Sequence, residues 1–326
     1  MLQVCKTIFE LRNALFQWKL HQDSSGETNR GIGFVPTMGA LHPGHASLFQ
    51  KSCEERSLTV ASIFVNPLQF GPSEDFHKYP RTLENDLKIC EEFGVQIAFV
   101  PDSKELYPSD FCTKILPGPE GDLFCGAFRP GHFEGVLTVV MLLCQCVQPT
   151  HLYMGSKDFQ QVFLVRRMLN QLKVPIAVVA GSTVRETGDG LALSSRNRYL
   201  DATARKQASL IPRAFAKVVR EVQNGTLGAE RLIGLATEVI KKAPMEIQYL
   251  ELVNESTLAK VDRVEKGETR LVFAGLLPSG EQKVRLIDNL LLSWEGHDGK
   301  ELKKFLELMD SLEVELSSSS SATERS

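Results

Sequence analysis

Two histidines three residues apart, with a glycine before the second, close an apolar run in "GFVPTMGALHPGHASLF" (residues 33–49). That spacing places His42 and His45 on one face of a helical turn. Pro43 is favoured in a helix's first turn, where its ring fixes the backbone. The N–H groups of such a turn, together with the helix dipole, attract anions. Gly44 leaves bare backbone between the imidazoles, which a flat ring or a phosphate can approach. Phosphate held at a helix N-terminus by two imidazole donors is the chemistry this pattern suits. The same residues also read as exposed caps where a strand turns into a helix.

Three further stretches carry groups of that kind. In "MGSKDFQQ" (residues 154–161) Lys157 could meet phosphate, and Gln161, one turn on, a second substrate. The plain alternative makes Ser156 an N-cap, with Asp158 in the first turn. In "LALSSRNRYL" (residues 191–200) Ser194, Ser195 and Arg196 offer donors for polyphosphate, and arginine can bind it bidentately. A turn with a helix cap is the other reading. In "SIFVNPLQFGPSEDFHKYPRT" (residues 62–82) the neutral amides Asn66 and Gln69 sit among Phe64, Pro67 and Phe70. That mix suits a small polar molecule with an apolar flank, though an Asn-Pro turn would look the same. Asp75, Glu84 and Asp86 are acids that could meet Mg²⁺ through water. Arg129 and His132 lie in a Pro-Gly loop before the apolar "GVLTVVMLLCQCV" (residues 135–147), as functional contacts or simply as a helix entry.

Most of these groups fall at the ends of expected strands. From residue 31 the sequence alternates short β-like runs ("GIGFVP", "LTVASIFVN", "VQIAFVP", "HLYMG", "VPIAVVA") with segments long enough for crossover helices. Such alternation argues a parallel sheet covered on both faces, with ligands at the strands' carboxyl ends. Residues 1–20 read as an amphipathic first helix rather than a signal peptide, and "HQDSSGETNR" (residues 21–30) as a polar loop. After about residue 182 the rhythm changes to helices near 202–223 and 229–242. Three runs consistent with a small antiparallel sheet follow, then an amphipathic helix at about 299–316. The expected fold is α/β: a Rossmann-like parallel-sheet domain (1–183), a smaller α+β domain with a C-terminal helix (184–316), and a disordered tail (317–326) whose serine-rich composition cannot pack.

Composition excludes several classes. Net charge is −3 with no Lys/Arg block, so no nucleic-acid partner is expected. The most apolar run is too short to span a bilayer, which fits a cytoplasmic protein with no membrane partner. Seven scattered cysteines without a C-x-x-C pair read as reduced core thiols, not a zinc site.

Taken together, "PTMGALHPGH", "FVNPLQFGPSEDFHKYPRT", "FRPGHFEGVLTVV", "GSKDFQQ" and "LSSRN" resemble, in order, the motifs of the pantoate–β-alanine ligases of the H-x-G-H nucleotidyltransferase superfamily. The resemblance spans about residues 34–289. It implies a Rossmann-like domain with a smaller C-terminal lid, a homodimer, ATP as substrate with Mg²⁺, and two steps. Pantoate and ATP would give pantoyl-adenylate and pyrophosphate; β-alanine would then displace AMP to give pantothenate. It implies an ATP site of Met38, Gly39, His42, Gly44, His45, Gly155, Ser156, Lys157, Asp158, Val184, Leu193, Ser194, Ser195 and Arg196. His42, His45, Lys157 and Arg196 would act on the phosphates, with His45 as proton donor. Asn66, Gln69 and Gln161 would hold substrate, and Asp86 would stand near the metal. The polar stretch at residues 22–30, a short length difference around "VRETGDG" and the chain beyond Asn289 depart from the family's pattern.

Overall fold

The computed structural model describes residues 2–25, 30–72, 74, 76–265, 267–293 and 296–323. Asp75 and residues 26–29 of the polar stretch lie outside them. The chain forms two compact units, Met1–Gly181 and Ser182–Ser326.

The first unit runs β1 (Gln3–Cys5), α1 (Ile8–Ser25), β2 (Ile32–Thr37), α2 (Pro43–Glu55), β3 (Leu58–Ile63), α3 (Leu83–Glu92), β4 (Ile97–Phe99), α4 (Ser103–Leu106), α5 (Cys125–Phe128), α6 (His132–Val147), β5 (His151–Gly155), α7 (Phe159–Gln171) and β6 (Ala177–Gly181). Its six strands pair in the order β1-β4-β3-β2-β5-β6, all parallel. Side chains alternate between the sheet's faces. Phe34 and Val60 join Leu11, Leu137, Val140 and Val165 beneath α1, α6 and α7, while Val35 and Ala61 join Leu48, Phe49 and Cys90 beneath α2 and α3. Burial on both faces is why the strands read as continuous apolar runs.

The order of strands places the functional loops. From β2 the chain steps to β3 and then β4; it returns on the other side of β2 as β5 and β6. The crossovers leaving β2 and β5 therefore depart in opposite directions, and a crevice opens between these strands' carboxyl ends. "TMGALHPGH" follows β2 and "SKD" follows β5.

Two expectations for the N-terminal region change. Residues 1–20 are not one helix: Gln3–Cys5 forms an edge strand beside β4 before α1 begins. Three residues are too few to show a period of two. The polar loop is also shorter than expected, since α1 continues to Ser25; Leu11, Ala14 and Leu15 anchor it.

The second unit holds α8 (Ala202–Ala208), α9 (Leu210–Gln223), α10 (Ala229–Ile240), β7 (Glu246–Asn254), β8 (Thr269–Ser279), β9 (Gln282–Leu291) and α11 (Gly296–Thr323), with an antiparallel sheet β7-β8-β9. The helix α9 buries Ile211, Phe215, Val218, Val219 and Val222 at helical spacing in the same core as Leu271, Phe273 and Leu277 of β8. Residues 184–193 close a small hairpin, bridged at Arg185 and Ala192.

The expected disordered tail is a correction. The backbone of α11 is helical through Thr323, and only residues 324–326 lie outside the described chain. Leu302, Phe305, Met309 and Leu312 bury one stripe of this helix. With nucleation accomplished by that docking, each further residue adds a backbone hydrogen bond at low cost, serines included.

Leu312 is the last buried residue among those whose burial is described, and deleting residues 317–326 removes none of these, so it should leave the thermal midpoint within about 2 °C of the parent, as read by calorimetry. A larger fall would show that the last turns are docked.

Candidate active site

The turn after β2 is held from a distance. Gly39 and Ala40 both take positive φ, +77° and +50°. Asp86, on α3 and only 1 % exposed, accepts from the backbone N–H of Ala40 (3.1 Å) and of Leu41 (2.8 Å) and from the Thr82 hydroxyl (3.1 Å). The Thr37 hydroxyl donates to the Ser62 carbonyl at 2.7 Å, tying the end of β2 to β3. The metal role expected of Asp86 is therefore not carried by its geometry: its two oxygens accept from the turn, and the residue is closed to solvent. Among the described residues no group of three or more His, Cys, Asp or Glu side chains could hold a metal ion.

Beyond the turn, His42 is the N-cap of α2 and His45 its third residue, joined in a reciprocal capping box. The Gly44 N–H donates to His42 Nδ1 (3.2 Å), and the His42 N–H donates to His45 Nδ1 (3.3 Å). A backbone N–H can only donate, so both Nδ1 atoms are acceptors and each neutral ring carries its proton on Nε2. Loss of water around the half-buried His45 holds its pKa well below the usual imidazole value, reinforced by His42 and then by the Lys157 ammonium. The ring centroids lie 4.1 Å apart. The cap reading and the functional reading thus share the same atoms: the caps use Nδ1 and orient Nε2–H.

The loop after β3 forms the next wall. Gln69 is buried; its amide nitrogen donates to the Met38 sulfur at 3.1 Å, joining this wall to the β2 turn. Asn66, expected to touch substrate, is instead consumed by the protein. It is 1 % exposed, donates to Gln69 Oε1 (3.1 Å) and the Gly135 carbonyl (3.1 Å), and accepts from the Leu68 N–H (3.2 Å) and the Tyr107 hydroxyl (2.8 Å). Every donor and acceptor of its amide has a protein partner here, and one of them is Gln69, which it orients.

Behind Gln69 lies a network that the sequence left even between function and helix entry. Arg129 Nε and Nη2 donate to the two Glu74 oxygens, both at 2.6 Å. Its Nη1 lies 2.9 Å from His132 Nε2, and His132 Nδ1 lies 2.8 Å from the Gln69 carbonyl. Since guanidinium only donates, Nε2 accepts and Nδ1–H donates to that carbonyl. Burial would raise the Glu74 carboxyl, but its bonds to Arg129 hold it below the usual range. Arg129 and Glu74 are 55 residues apart and His132 and Gln69 are 63 apart, so no local pattern announces these two contacts.

After β5, residues Ser156–Asp158 form a single 3₁₀ turn, and α7 follows with Asp158 as an N-cap that makes no side-chain cap bond. The N-cap of α7 is thus Asp158 and not Ser156, the residue that the plain reading of the sequence had offered. A Cβ on Gly155 would meet nothing within 4 Å. Lys157 is partly buried, 4.0 Å from the exposed Asp158, and its charge acts on His45. Gln161 is half-buried in the first turn of α7. Its neighbour Gln160 has the structural part, accepting from the Cys125 N–H at 3.0 Å and donating to the carbonyls of Glu120 (2.9 Å) and Leu123 (2.8 Å). The structure thus assembles Met38, His42, His45, Gln69 and Lys157 from the ends of β2, β3 and β5.

In the second unit, the Leu193 N–H donates to the Val184 carbonyl (2.9 Å) across the hairpin. Ser194 then caps a 3₁₀ turn, Ser195–Tyr199, by accepting from the Arg196 N–H at 3.3 Å. Asn197 donates to the Ala192 carbonyl at 3.1 Å.

The sequence pattern of the family Pantoate-beta-alanine ligase matches residues 3–291. The chain is 44% identical over 293 residues to pantothenate synthetase 1 of Bradyrhizobium diazoefficiens, covering 90% of this chain and 99% of that one. The crystal structure of the Thermus thermophilus pantothenate synthetase superposes with a TM-score of 0.80 at 41% identity, covering 90% and 100% of the two chains. That of the Francisella tularensis pantoate-beta-alanine ligase, complexed with beta-gamma ATP and beta-alanine, gives 0.66 at 31% identity over 89% and 98%.

Two outcomes follow from this geometry. Asp86→Ala strands two backbone donors and should lower stability by at least about 2 kcal/mol; Asp86→Asn, which keeps one acceptor, should lose less. Chemical denaturation measures both. For His45, a depressed native pKa means its stability contribution is fully present above the unfolded value of about 6.5 and is lost as pH falls below it. Ring proton shifts of His45 should therefore stay those of neutral imidazole through about pH 6.5, and His45→Gln should flatten the acid-side loss of stability. A titration midpoint at or above the unfolded value would contradict this environment.

Proposed function

We propose, because the chain belongs to the Pantoate-beta-alanine ligase family, that it condenses pantoate with β-alanine at the expense of ATP. The observation that carries this reading is the pair of neutral Nε2–H imidazoles beside Lys157, where β2 and β5 diverge. Donors and a cation at a helix N-terminus suit a polyphosphate, and the buried neutral amide of Gln69 beside them suits an uncharged polar contact.

In the first step the pantoate carboxylate oxygen attacks the α-phosphorus of ATP. An O–P bond forms, the α–β bridging P–O bond breaks, and pyrophosphate departs with the electron pair. Charge grows on the leaving phosphates, where His42, His45 and Lys157 lower the barrier by donating to it. The depressed pKa keeps the His45 ring neutral, with the single N–H that it would donate. Gln69 and Gln161 hold pantoate through its hydroxyls and carboxylate. In the second step the neutral amine of β-alanine attacks the acyl carbon, the C–N bond forms, AMP leaves, and the amine's proton passes to solvent. Ser194, Ser195 and Arg196 are further donors for polyphosphate. Mg²⁺ enters as MgATP, carried by the nucleotide rather than by a carboxylate cluster. The active form is a cytoplasmic homodimer, which sedimentation would test; no described helix is long and apolar enough to cross a membrane.

Pyrophosphate–ATP exchange should require pantoate and proceed without β-alanine; exchange that needs β-alanine would rule out a free adenylate. His45→Ala should slow single-turnover adenylation by about 10²–10³, by analogy with the loss of one oxyanion donor. Gln161→Ala should raise the pantoate KM while leaving ATP binding near normal. A His45→Ala protein that adenylates at the parent rate would sink the catalytic reading.

A further inference from the structure

The match to the family ends at residue 291, and α11 begins at Gly296. We infer that this added helix is a positioning element for the nucleotide: through Phe305 and Met309 it braces the 184–193 hairpin that presents Ser194–Arg196. The inference rests on the proposed role of those three residues in polyphosphate binding.

The hairpin's geometry depends on Arg185. Its guanidinium donates to both oxygens of Asp288 on β9, at 2.7 and 2.9 Å, and to the Gly190 carbonyl at 3.1 Å. Both partners of this ion pair are nearly closed to solvent. The Phe305 ring of α11, itself 4 % exposed, lies 4.7 Å from the guanidinium carbon. One arginine therefore joins the hairpin's first strand, its far turn, the sheet and the added helix. Met309, fully buried, meets the same turn: a Cβ placed on Gly190 would stand 2.7 Å from its sulfur, at a residue with φ of +75°. On the outer side, Arg205 of α8 pairs with Asp189 (2.8 Å) and Glu186 (3.3 Å). Arg220 of α9 fixes α11 through Asp310 (2.5 Å) and Glu313 (3.0 Å).

The direction of the effect follows from charge and shape. A buried bidentate pair fixes the plane of the guanidinium but leaves one of its faces to be covered. An aromatic ring there covers that face and attracts the cation; an aliphatic side chain covers it without the attraction. Loosening Arg185 frees both strands of the hairpin, and with them the donors that follow Leu193. Contacts made by the first unit's pocket are not involved, so the effect should fall on ATP and not on pantoate.

The test uses the full-length chain with Phe305→Leu, Phe305→Tyr, Met309→Ala and, as control, Arg196→Ala. Hydrogen exchange by mass spectrometry would follow residues 184–193 and, as internal reference, β7 and β8. Steady-state kinetics would give KM for ATP and for pantoate separately. Phe305→Leu should speed exchange in the hairpin but not in the reference strands, and raise the ATP KM by between about 2-fold and 30-fold with an unchanged pantoate KM. Phe305→Tyr, which keeps the ring, should restore both, and Met309→Ala should act like Phe305→Leu. Hairpin exchange unchanged by both Phe305→Leu and Met309→Ala, or quickened no more than in the reference strands, overturns the bracing role. Faster hairpin exchange with a normal ATP KM, while Arg196→Ala raises that KM, overturns its bearing on nucleotide. An ATP KM untouched by Arg196→Ala would refute the assigned role of Ser194–Arg196, and the exchange data would still decide whether α11 braces the hairpin.

Discussion

Ala40 sits in the left-handed region, a conformation that costs a residue with a Cβ about 1–2 kcal/mol, and the buried carboxylate of Asp86 is what holds it there. Each hydrogen bond to a charged group contributes about 1.5–3 kcal/mol. Two from adjacent amides outweigh the strain. The turn so fixed sets where His42 leaves extended backbone and where α2 begins. Both imidazoles take their tautomers from the N–H groups that this start exposes. Capping and chemistry are one arrangement here, since the atoms that finish the helix also aim its donors.

The pocket repeats that logic in neutral form. Asn66 uses its whole amide to orient Gln69, and His132 uses one ring nitrogen to hold the Gln69 carbonyl while Arg129 occupies the other. A buried amide with every bond made cannot rotate without leaving a polar atom unpaired, at about 1–3 kcal/mol for each. The residues expected to bind therefore divide into two groups. Gln69, Lys157, His42 and His45 lie on the segments that follow β3, β5 and β2, while Asn66 bonds to Gln69 and Asp86 to the turn before His42.

In the second unit the order of dependence runs the other way along the chain. A helix near the end of the sequence reaches a hairpin more than a hundred residues earlier, through an arginine whose charge is already paired with Asp288. Packing on that arginine and on Gly190 ties the helix that follows the family's matched region to this loop.

Much of the architecture was determined by the sequence alone. Apolar runs bounded by turn residues marked β2 to β9, the i,i+3 histidines and Pro43 located the start of α2, and five motifs in order identified the family. Those signals are local, because hydrophobic period and turn chemistry act over a few residues. Tertiary structure decided what no local pattern encodes. It made Gln3–Cys5 a strand, because a tripeptide is specified by the β4 edge beside it. It carried α11 to Thr323, because docking of Leu302 to Leu312 meets the cost of nucleation. It turned Asp86 and Asn66 from presumed ligand contacts into supports, because their partners, Ala40 and Leu41 in one case and Gly135 and Tyr107 in the other, lie 41 to 69 residues away. A carboxylate or an amide reads the same in sequence whether it meets solvent, substrate or a backbone donor; only the fold settles which of these stands within 3 Å.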